Sequence, residues 1–340
     1  MDGRGVAGAG RILRLRVVLP LAAAVLAGCS MAPPMREDAP RARFVAGWPV
    51  IPPAARFGQV SAVDVDPQGR VYVLHRAGRE WSEPFPSQPI AEPTVFVFDG
   101  ESGALLARWG AGAFIMPHGL SIDPQGKVWI TDVGREQVFR FDREGKQELV
   151  LGERGVTGDD KRHFGRPTDV AFAGGEVFIS DGYLNHRVVV FDREGRYRRE
   201  WGEQGSGPRG LAIPHAISVA GGKVYVADRE HARIQVSDLR GAVLANWQPR
   251  ELRGHPYSLK VLRDGRVVTI EGRDKANRSG ALIRIWRRDG AIERSIDAAL
   301  PGEGASLGHD LAVGPDGHIY AADVYGGRVV KLALTPAKER

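Results

Sequence analysis

The chain has 340 residues, and half of its formal net charge of +6 comes from one end. Residues 1–28 hold four Arg and one Asp, which leaves 43 basic residues against 40 acidic residues in the rest of the chain. A nearly balanced charge of this kind gives no basis for a nucleic-acid partner. Cys29 is the single cysteine, which excludes an intramolecular disulfide and leaves no candidate for a catalytic thiol.

The first residues of the chain have the pattern of a signal peptide. A basic stretch precedes apolar residues from Val17 to Ala27, which are too few for a permanent membrane-spanning helix. The stretch ends in Leu-Ala-Gly-Cys29, which resembles the lipobox of bacterial lipoproteins. We therefore expect a signal peptide at 1–28 and a lipid on Cys29. The alternative is an ordinary signal peptide with an incidental cysteine.

The segment at 29–42 is rich in Pro and Ala and is typical of an extended tether. Ser30 follows the cysteine, and this resembles the sorting signal of lipoproteins that reach the outer membrane. We therefore expect an extracytoplasmic protein of the cell envelope, anchored to the outer membrane by its lipid. We also expect it to be a monomer.

Six similar segments follow the tether, and each begins with a short aliphatic strand. A tight turn with Gly, a second strand, a third strand and often a Trp-ended fourth strand come after it. The six segments start at Val60, Pro117, Pro167, Pro214, Pro256 and Gly308. Four antiparallel strands repeated every ~40–55 residues are typical of propeller blades.

The sequence thus predicts an all-β fold, a six-bladed β-propeller over 43–334 with four-stranded antiparallel blades, followed by a C-terminal tail at 335–340. The last repeat ends after three strands, near Leu334. The segment Arg43–Val50 resembles the missing outer strand. Pairing this N-terminal strand with the last blade would close the ring and remove exposed sheet edges.

One position of the repeat alternates between histidine and other residues. In blade order it reads Ser61, His118, Thr168, His215, Tyr257 and His309. Alternate blades of a six-bladed ring are related by a third of a turn, so the three imidazoles should converge on the axis. Three histidines with an open fourth position are typical of catalytic zinc. The alternative is a ring of polar residues that only lines a wet channel.

A weaker pattern lies two positions further along the same strands. The backbone carbonyls of Val63, Leu120 and Leu311 should project just inside the ring, and the Asp310 carboxylate is adjacent. Oxygen ligands of this kind suit a hard cation such as calcium. Apolar residues at this position are also expected of any inner strand.

A second ring of conspicuous residues ends the second strand of each repeat. Its recurrent aspartates are expected to bind backbone amides in the turn. Arg76, Tyr183 and Arg229 depart from the local pattern. An Arg at a channel mouth can bind a carboxylate, and a Tyr between a metal and a guanidinium can act as a base. The alternatives are surface arginines and a packed tyrosine.

Taken together, these motifs resemble the peptidyl-α-hydroxyglycine α-amidating lyase family, in the same order along residues 43–334. The matching runs are Gly58–Pro67, His75-Arg76, Met116–Asp123, Thr131–Val133, Gln137–Phe139, His163-Phe164, Arg166–Val170, Ser180–Tyr183, Ile213–His215, Ala227–Glu230 and Gly308–Asp310. The resemblance implies cleavage of a peptide ending in α-hydroxyglycine to a peptide amide and glyoxylate.

The resemblance also implies roles for individual residues. It implies zinc held by His118, His215 and His309. It implies structural calcium near the carbonyls of Val63 and Leu120 and the carboxylate of Asp310. Tyr183 would be the general base on the α-hydroxyl group, and Arg76 and Arg229 would orient the substrate and its carboxylate.

Three positions depart from the family pattern. Gly165 and Leu184 stand where animal members have disulfide cysteines, and Leu307 stands where the family has a Met near the metal. Nothing in the chain corresponds to the copper monooxygenase that makes the hydroxylated substrate in animals. The substrate is therefore left open among N-acyl and carbamoyl α-hydroxyglycines, including ureidoglycolate.

The sequence analysis favours a zinc-dependent carbon–nitrogen lyase that acts on a small molecule or a peptide with a terminal α-hydroxyglycine-like group. The rival hypothesis is a non-catalytic NHL-repeat propeller that serves as a binding or scaffold module of the cell envelope. A metal-dependent hydrolase using the same open zinc site is a third possibility.

Overall fold

The computed structural model describes residues 42–249, 254–272, 280–298 and 306–334. Across these residues the chain forms six four-stranded antiparallel sheets, which are the blades of a β-propeller. The all-β, six-bladed fold class predicted from the repeat is therefore confirmed. The described part of the chain contains no helix that is long and apolar enough to cross a membrane.

The strands follow the repeat blade by blade. Blade 1 consists of β2 (Val60–Val65), β3 (Arg70–His75), β4 (Val95–Asp99) and β5 (Leu105–Trp109). Blade 2 consists of β6 (Pro117–Ile122), β7 (Val128–Asp132), β8 (Gln137–Phe141) and β9 (Gln147–Leu151). Blade 3 consists of β10 (Pro167–Ala173), β11 (Glu176–Asp181), β12 (Arg187–Asp192) and β13 (Tyr197–Trp201).

A short parallel pair, β14 (Glu203–Gln204) and β15 (Gly210–Leu211), joins blade 3 to blade 4. Blade 4 consists of β16 (Pro214–Ala220), β17 (Lys223–Asp228), β18 (Arg233–Asp238) and β19 (Val243–Trp247). Blade 5 consists of β20 (His255–Val261), β21 (Val267–Gly272), β22 (Ala281–Trp286) and β23 (Ile292–Ala298). Blade 6 consists of β24 (Gly308–Val313), β25 (Ile319–Asp323), β26 (Arg328–Leu334) and β1 (Ala42–Phe44).

The turns between strands are built by aspartate side chains. In the turn between β2 and β3, Asp66 Oδ1 accepts the backbone N–H groups of Gln68 and Arg70 at 3.0 and 2.9 Å. Gly69 in the same turn has a φ of 81°, which a side chain would oppose. The Asp-Pro-Gln-Gly sequence therefore favours this hairpin turn through the hydrogen bonds of Asp66 and the positive φ of Gly69.

The hydrophobic core is divided into six layers, one between each pair of neighbouring blades. Strand β3 illustrates the reason, because its side chains alternate between the two faces of the blade. Tyr72 packs toward blade 2, whereas Val71 and Val73 pack toward blade 6. Each blade is thus apolar on both faces and is stable only between two neighbours.

The N-terminal strand closes the ring. Ala42, Arg43 and Phe44 pair with Leu334, Ala333 and Leu332 in antiparallel register, so that β1 is the outer strand of the last blade. The predicted closure is confirmed, but the strand is shorter than the Arg43–Val50 segment that was expected. After Phe44 the chain turns towards blade 1, where Val50 forms a parallel bridge with Ala104.

Trp48 fills the junction that this turn creates. Its ring lies 4.9 Å from that of Tyr320 in blade 6 and 6.1 Å from that of Phe98 in blade 1. The side chain is 8% exposed, and its indole N–H donates to the Asp99 carbonyl at 3.3 Å. Trp48 therefore joins the last blade to the first at the point where the ring closes.

Three sequence-based predictions lie outside the described residues: the signal peptide at 1–28, almost all of the lipidated tether at 29–42 and the tail at 335–340. The lipid on Cys29 and the location in the cell envelope thus stay predictions, as does the monomeric state.

Trp48→Ala should lower the free energy of unfolding by about 3–5 kcal/mol, because it leaves a cavity between blades 6 and 1. Urea unfolding followed by circular dichroism measures this change. Leu106→Ala is the matched control, since Leu106 is 53% exposed, and it should change stability by less than about 0.5 kcal/mol. Equal effects of the two substitutions would contradict the assigned role of Trp48.

Candidate metal centre and active site

Three histidines meet on the propeller axis. His118, His215 and His309 lie on the inner strands β6, β16 and β24 of blades 2, 4 and 6. Their ring centroids are 4.8, 4.9 and 4.9 Å apart, which is nearly an equilateral triangle. One nitrogen from each ring lies within 4.8 Å of the others, and all three side chains are buried. Three histidine nitrogens at these distances could hold a metal ion between them.

The outer nitrogen of each imidazole is fixed by the neighbouring blade. His118 Nδ1 lies 2.9 Å from the Thr168 carbonyl, and His215 Nδ1 lies 2.7 Å from that of Tyr257. His309 Nδ1 lies 2.7 Å from the Ser61 carbonyl. A carbonyl only accepts, so each Nδ1 carries the proton and each Nε2 presents a lone pair. Metal-binding histidines are commonly oriented by such a bond.

Glycine allows one of these contacts to form. Gly119 follows His118, and a Cβ at this position would lie 2.3 Å from the Thr168 carbonyl oxygen. That oxygen is the acceptor for His118, so a larger residue would push the two strands apart. The pairing of His118 with a following glycine is therefore required by the geometry of the site.

Burial keeps the three imidazoles neutral. It lowers the pKa of His118 and of His215 well below the ordinary value of 6.5, and nearby positive charges lower both further. Burial and the Arg76 guanidinium lower the pKa of His309 to about 3. Zinc binds the neutral imidazole, so these side chains are already in the form that the metal requires. The donor set therefore fits the predicted zinc.

Tyr183 lies directly over the triangle. Its hydroxyl group is 3.1 Å from His118 Nε2 and 3.3 Å from His215 Nε2. Gly182 places it there, since a Cβ on that residue would lie 2.1 Å from the Pro214 carbonyl oxygen. The chain can thus pass close to blade 4 and direct the tyrosine ring to the axis.

Arg76 enters from blade 1 and is 2% exposed. Its Nε donates to the Pro117 carbonyl at 3.1 Å, and its Nη1 donates to Gln59 Oε1 at 2.9 Å. Its Nη2 is buried and has no hydrogen-bond partner among the described residues. Burial lowers the pKa of Arg76 to about 10, so the guanidinium stays charged at neutral pH. A buried charged donor without a partner is typical of a binding site.

Arg229 enters from blade 4, on the opposite side of the axis. Its Nε donates to Glu230 Oε1 at 2.9 Å. The guanidinium carbon lies 5.4 Å from the ring centre of Tyr183 and 5.1 Å from that of Tyr257. The structure therefore brings together all six residues predicted for zinc and catalysis. Two cationic groups flank the tyrosine, and the metal ligands lie beneath it.

Trp81 and Gln59 belong to the site but were missed by the sequence analysis. The Trp81 ring lies 5.2 Å from that of Tyr183, and the Arg76 guanidinium lies 5.4 Å from the Trp81 ring. Phe85 packs on Trp81 at 5.0 Å, so the long loop between β3 and β4 forms an aromatic wall. Trp81 follows Arg76 by five residues in a loop outside the repeat, so the periodicity of the repeat could not predict its position.

The residues predicted for calcium have a different arrangement from the one expected. Asp310 Oδ2 accepts the backbone N–H of Val63 at 2.9 Å, and Asp310 Oδ1 accepts that of Leu311 at 2.8 Å. Asp310 thus meets Val63 through the amide group, whereas the prediction involved the Val63 carbonyl. Leu120 is buried on the next inner strand. Calcium at this place remains a prediction.

The recurrent aspartates at the ends of the second strands bind backbone amides, as expected. Asp132 is representative, because its two oxygens accept the N–H groups of Ile115, Met116 and Gly134 at 2.6, 2.9 and 2.8 Å. Asp181, Asp228 and Asp323 accept backbone amides in the same way. This ring is structural and positions the loops that carry the site.

The three departures from the family pattern have simple structural accounts. Leu184 donates its backbone N–H to the Gly165 carbonyl at 3.0 Å, so a hydrogen bond joins these two positions. Leu307 is 5% exposed, and its N–H is held by Asp323 Oδ1 at 2.8 Å. It directly precedes β24, the inner strand that carries His309.

Comparisons with known proteins agree with the propeller fold. A family model described as a 6-bladed beta-propeller matches residues 156–246, and an NHL-repeat model matches residues 114–141. A solved gluconolactonase from Xanthomonas campestris is similar at a TM-score of 0.58 and 15% identity, covering 88% of this chain and 95% of that one. At this identity the similarity shows the fold alone.

Two curated relatives are closer in sequence. Peptidyl-glycine alpha-amidating monooxygenase B of Xenopus laevis is 31% identical over 318 residues, which are 86% of this chain and 36% of that protein. The chain thus spans about a third of the length of this relative. A probable peptidyl-alpha-hydroxyglycine alpha-amidating lyase of Caenorhabditis elegans is 32% identical over 304 residues, which are 83% of this chain and 84% of that protein. The chain, a lyase-like propeller with NHL repeats, therefore belongs to the peptidyl-α-hydroxyglycine α-amidating lyase family.

Proposed function

We propose that this protein is a zinc-dependent lyase that cleaves the C–N bond of an N-acyl or peptidyl α-hydroxyglycine, yielding an amide and glyoxylate. The observation that carries the proposal is the position of the Tyr183 hydroxyl group, 3.1 and 3.3 Å from the nitrogens of two histidines of the triangle. The proposed proton acceptor and the proposed metal ligands thus lie next to one another, where one substrate could contact both. The buried Nη2 of Arg76, which has no hydrogen-bond partner among the described residues, supplies a donor for the substrate carboxylate nearby.

His118, His215 and His309 would hold the zinc ion, since they present three neutral nitrogens within 4.8 Å of one another. When bound, zinc supplies Lewis acidity to an oxygen of the substrate. The chain itself fixes the geometry, because each imidazole is oriented by a backbone carbonyl of the next blade. Tyr183 lies over one face of the triangle, and a fourth ligand of the metal would bind on that side, next to the tyrosine hydroxyl group.

Tyr183 is the proposed base. Acting as the base, Tyr183 takes the proton of the α-hydroxyl group, the electrons of that O–H bond form the carbonyl group of glyoxylate, and the C–N bond breaks. The amide nitrogen then receives a proton, so no proton is consumed overall and no covalent intermediate with the protein is required. The Arg229 guanidinium lies 5.4 Å from the Tyr183 ring, so a positive charge stands beside the proposed base.

Arg76 and Arg229 orient the substrate. The Arg76 guanidinium is held by Pro117 and Gln59 through two of its nitrogens, and the third is free to bind a carboxylate. Arg229 lies across the axis and adds a second positive charge. Trp81 and Phe85 form an apolar wall beside them, which suits an N-acyl group with apolar character.

The rival functions predict different products. A hydrolase on the same metal site would cleave the acyl group and release a carboxylic acid. A scaffold propeller would release neither product. It would also have no use for a buried arginine donor that, in the described part of the chain, has no partner. Product analysis therefore separates the three functions.

Residues 30–340, loaded with zinc, should release glyoxylate and benzamide from α-hydroxyhippurate. His215→Ala removes a metal ligand, and Tyr183→Phe removes the base, so each should lower kcat by about a hundredfold or more. His163→Ala and Tyr197→Phe are matched controls outside the site and should keep full activity. Benzoate as the product would favour a hydrolase, and no turnover by the zinc-loaded protein would contradict the proposal.

Arg76→Lys should raise KM for α-hydroxyhippurate about tenfold or more, because an ammonium cannot replace the guanidinium fork. The methyl ester of the same substrate has no carboxylate, so its KM should respond much less. Steady-state kinetics on the acid and the ester give both values, with exposed Arg240→Lys as the control. An equal response to the acid and the ester would show that Arg76 does not bind the carboxylate.

Zinc affinity should fall less than about tenfold between pH 7 and pH 5. The lowered pKa values of His118, His215 and His309 keep the ligands neutral in this range, so no proton has to leave. Three ordinary imidazoles would lose about ten-thousandfold in affinity over the same two pH units. Competition with a chelator of known pH dependence measures the change, and a loss above about a thousandfold would refute the expectation.

A further inference from the structure

Three carboxylates surround the channel just beyond the histidine position of the inner strands. Asp169 and Asp310 directly follow Thr168 and His309 in the sequence, and Asp64 lies three residues after Ser61. Asp169 is 7% exposed and Asp310 is 9% exposed. The metal centre therefore lies next to a group of acidic side chains that the proposed reaction does not use.

Each of these carboxylates joins two blades through backbone amides. Asp64 accepts the N–H groups of Val65 and Ile122 at 3.0 and 2.8 Å, which links blades 1 and 2. Asp169 accepts those of Val170 and Ile217 at 2.8 and 3.1 Å, which links blades 3 and 4.

Asp310 follows the same pattern through Leu311 and Val63, which links blades 6 and 1. Amide dipoles directed at a carboxylate stabilise its negative charge. The amide dipoles do not cancel the negative charge, so three carboxylates around one channel still need a cation.

Lys260 supplies a cation inside this channel. It lies on β20 in blade 5, its side chain is 19% exposed, and its Nζ is 4.0 Å from Asp64 Oδ1. Burial lowers the pKa of Lys260, but the negative charges of Asp64, Asp169 and Asp310 outweigh burial and raise it. The ammonium group is thus charged, and its field reaches all three carboxylates.

Calcium was predicted for this same region, at the carbonyls of Val63 and Leu120 and the carboxylate of Asp310. A calcium ion needs six to eight oxygen ligands at about 2.3–2.6 Å. Both oxygens of Asp310 are instead directed at amide N–H groups, one of them that of Val63. The electrostatic need for a cation is met by a side chain of the protein.

We propose that the Lys260 ammonium is the structural cation of this channel and takes the place predicted for calcium. Lys260 connects blade 5 to blade 1 across the channel, through Asp64, and stabilises the acidic groups that hold blades 1, 3 and 6 to their neighbours. The stability of the folded propeller is then independent of calcium. The proposal does not depend on the lyase activity.

The test is thermal unfolding of residues 30–340 after removal of calcium, with and without added millimolar calcium chloride. The melting temperature of the wild type should change by less than about 1 °C, and elemental analysis should find no bound calcium. Lys260→Met should melt at a lower temperature and should regain about 3 °C or more when calcium is added.

Lys223→Met, at an exposed position of β17, is the matched control and should show neither effect. Lys260→Met combined with Asp64→Asn removes both partners of the ion pair. The double variant should be less destabilised than the sum of the two single variants.

One bound calcium per chain in the wild type, with a rise in melting temperature of about 3 °C or more on addition of calcium, would overturn the proposal. A folded Lys260→Met variant with unchanged stability would do the same. If that variant does not fold, the calcium response and metal content of the wild type still decide the question.

Discussion

The site depends on one repeated interaction, the hydrogen bond from a histidine Nδ1 to a backbone carbonyl of the following blade. His118, His215 and His309 all donate in this way, and the acceptors belong to Thr168, Tyr257 and Ser61. The six residues occupy the same position of the six repeats. The bond therefore fixes the spacing of adjacent blades and the direction of each Nε2 at the same time, and the convergence of the three imidazoles follows from the symmetry of the fold.

A second set of contacts maintains this spacing where the inner strands continue. Asp64, Asp169 and Asp310 each accept an amide from a neighbouring blade, and Lys260 lies among them. Buried carboxylates of this kind are stable only when their oxygens are bonded and their charge is balanced. The axis of the propeller is accordingly polar, whereas the apolar core is distributed between the blades.

Charge is also ordered along the axis. Arg76 and Arg229 supply positive charge around Tyr183, the three imidazoles are neutral, and the carboxylates lie beyond them. The arginines contribute to the low pKa of the histidines, so the cationic mouth helps to keep the metal ligands unprotonated. This arrangement suits the anionic substrate and the metal ion that we propose.

The sequence by itself determined the blade count, the closure of the ring by an N-terminal strand and the convergence of the three histidines. These follow from periodicity, because equal positions of equal repeats must be related by rotation about one axis. Tertiary structure alone decided what breaks the periodicity. Trp81 lies in a loop outside the repeat, the early turn of the chain after Phe44 depends on packing at Trp48, and Lys260 meets Asp64 from a blade almost 200 residues away. Contacts of this kind depend on where loops and long side chains reach in space, which no repeat pattern records.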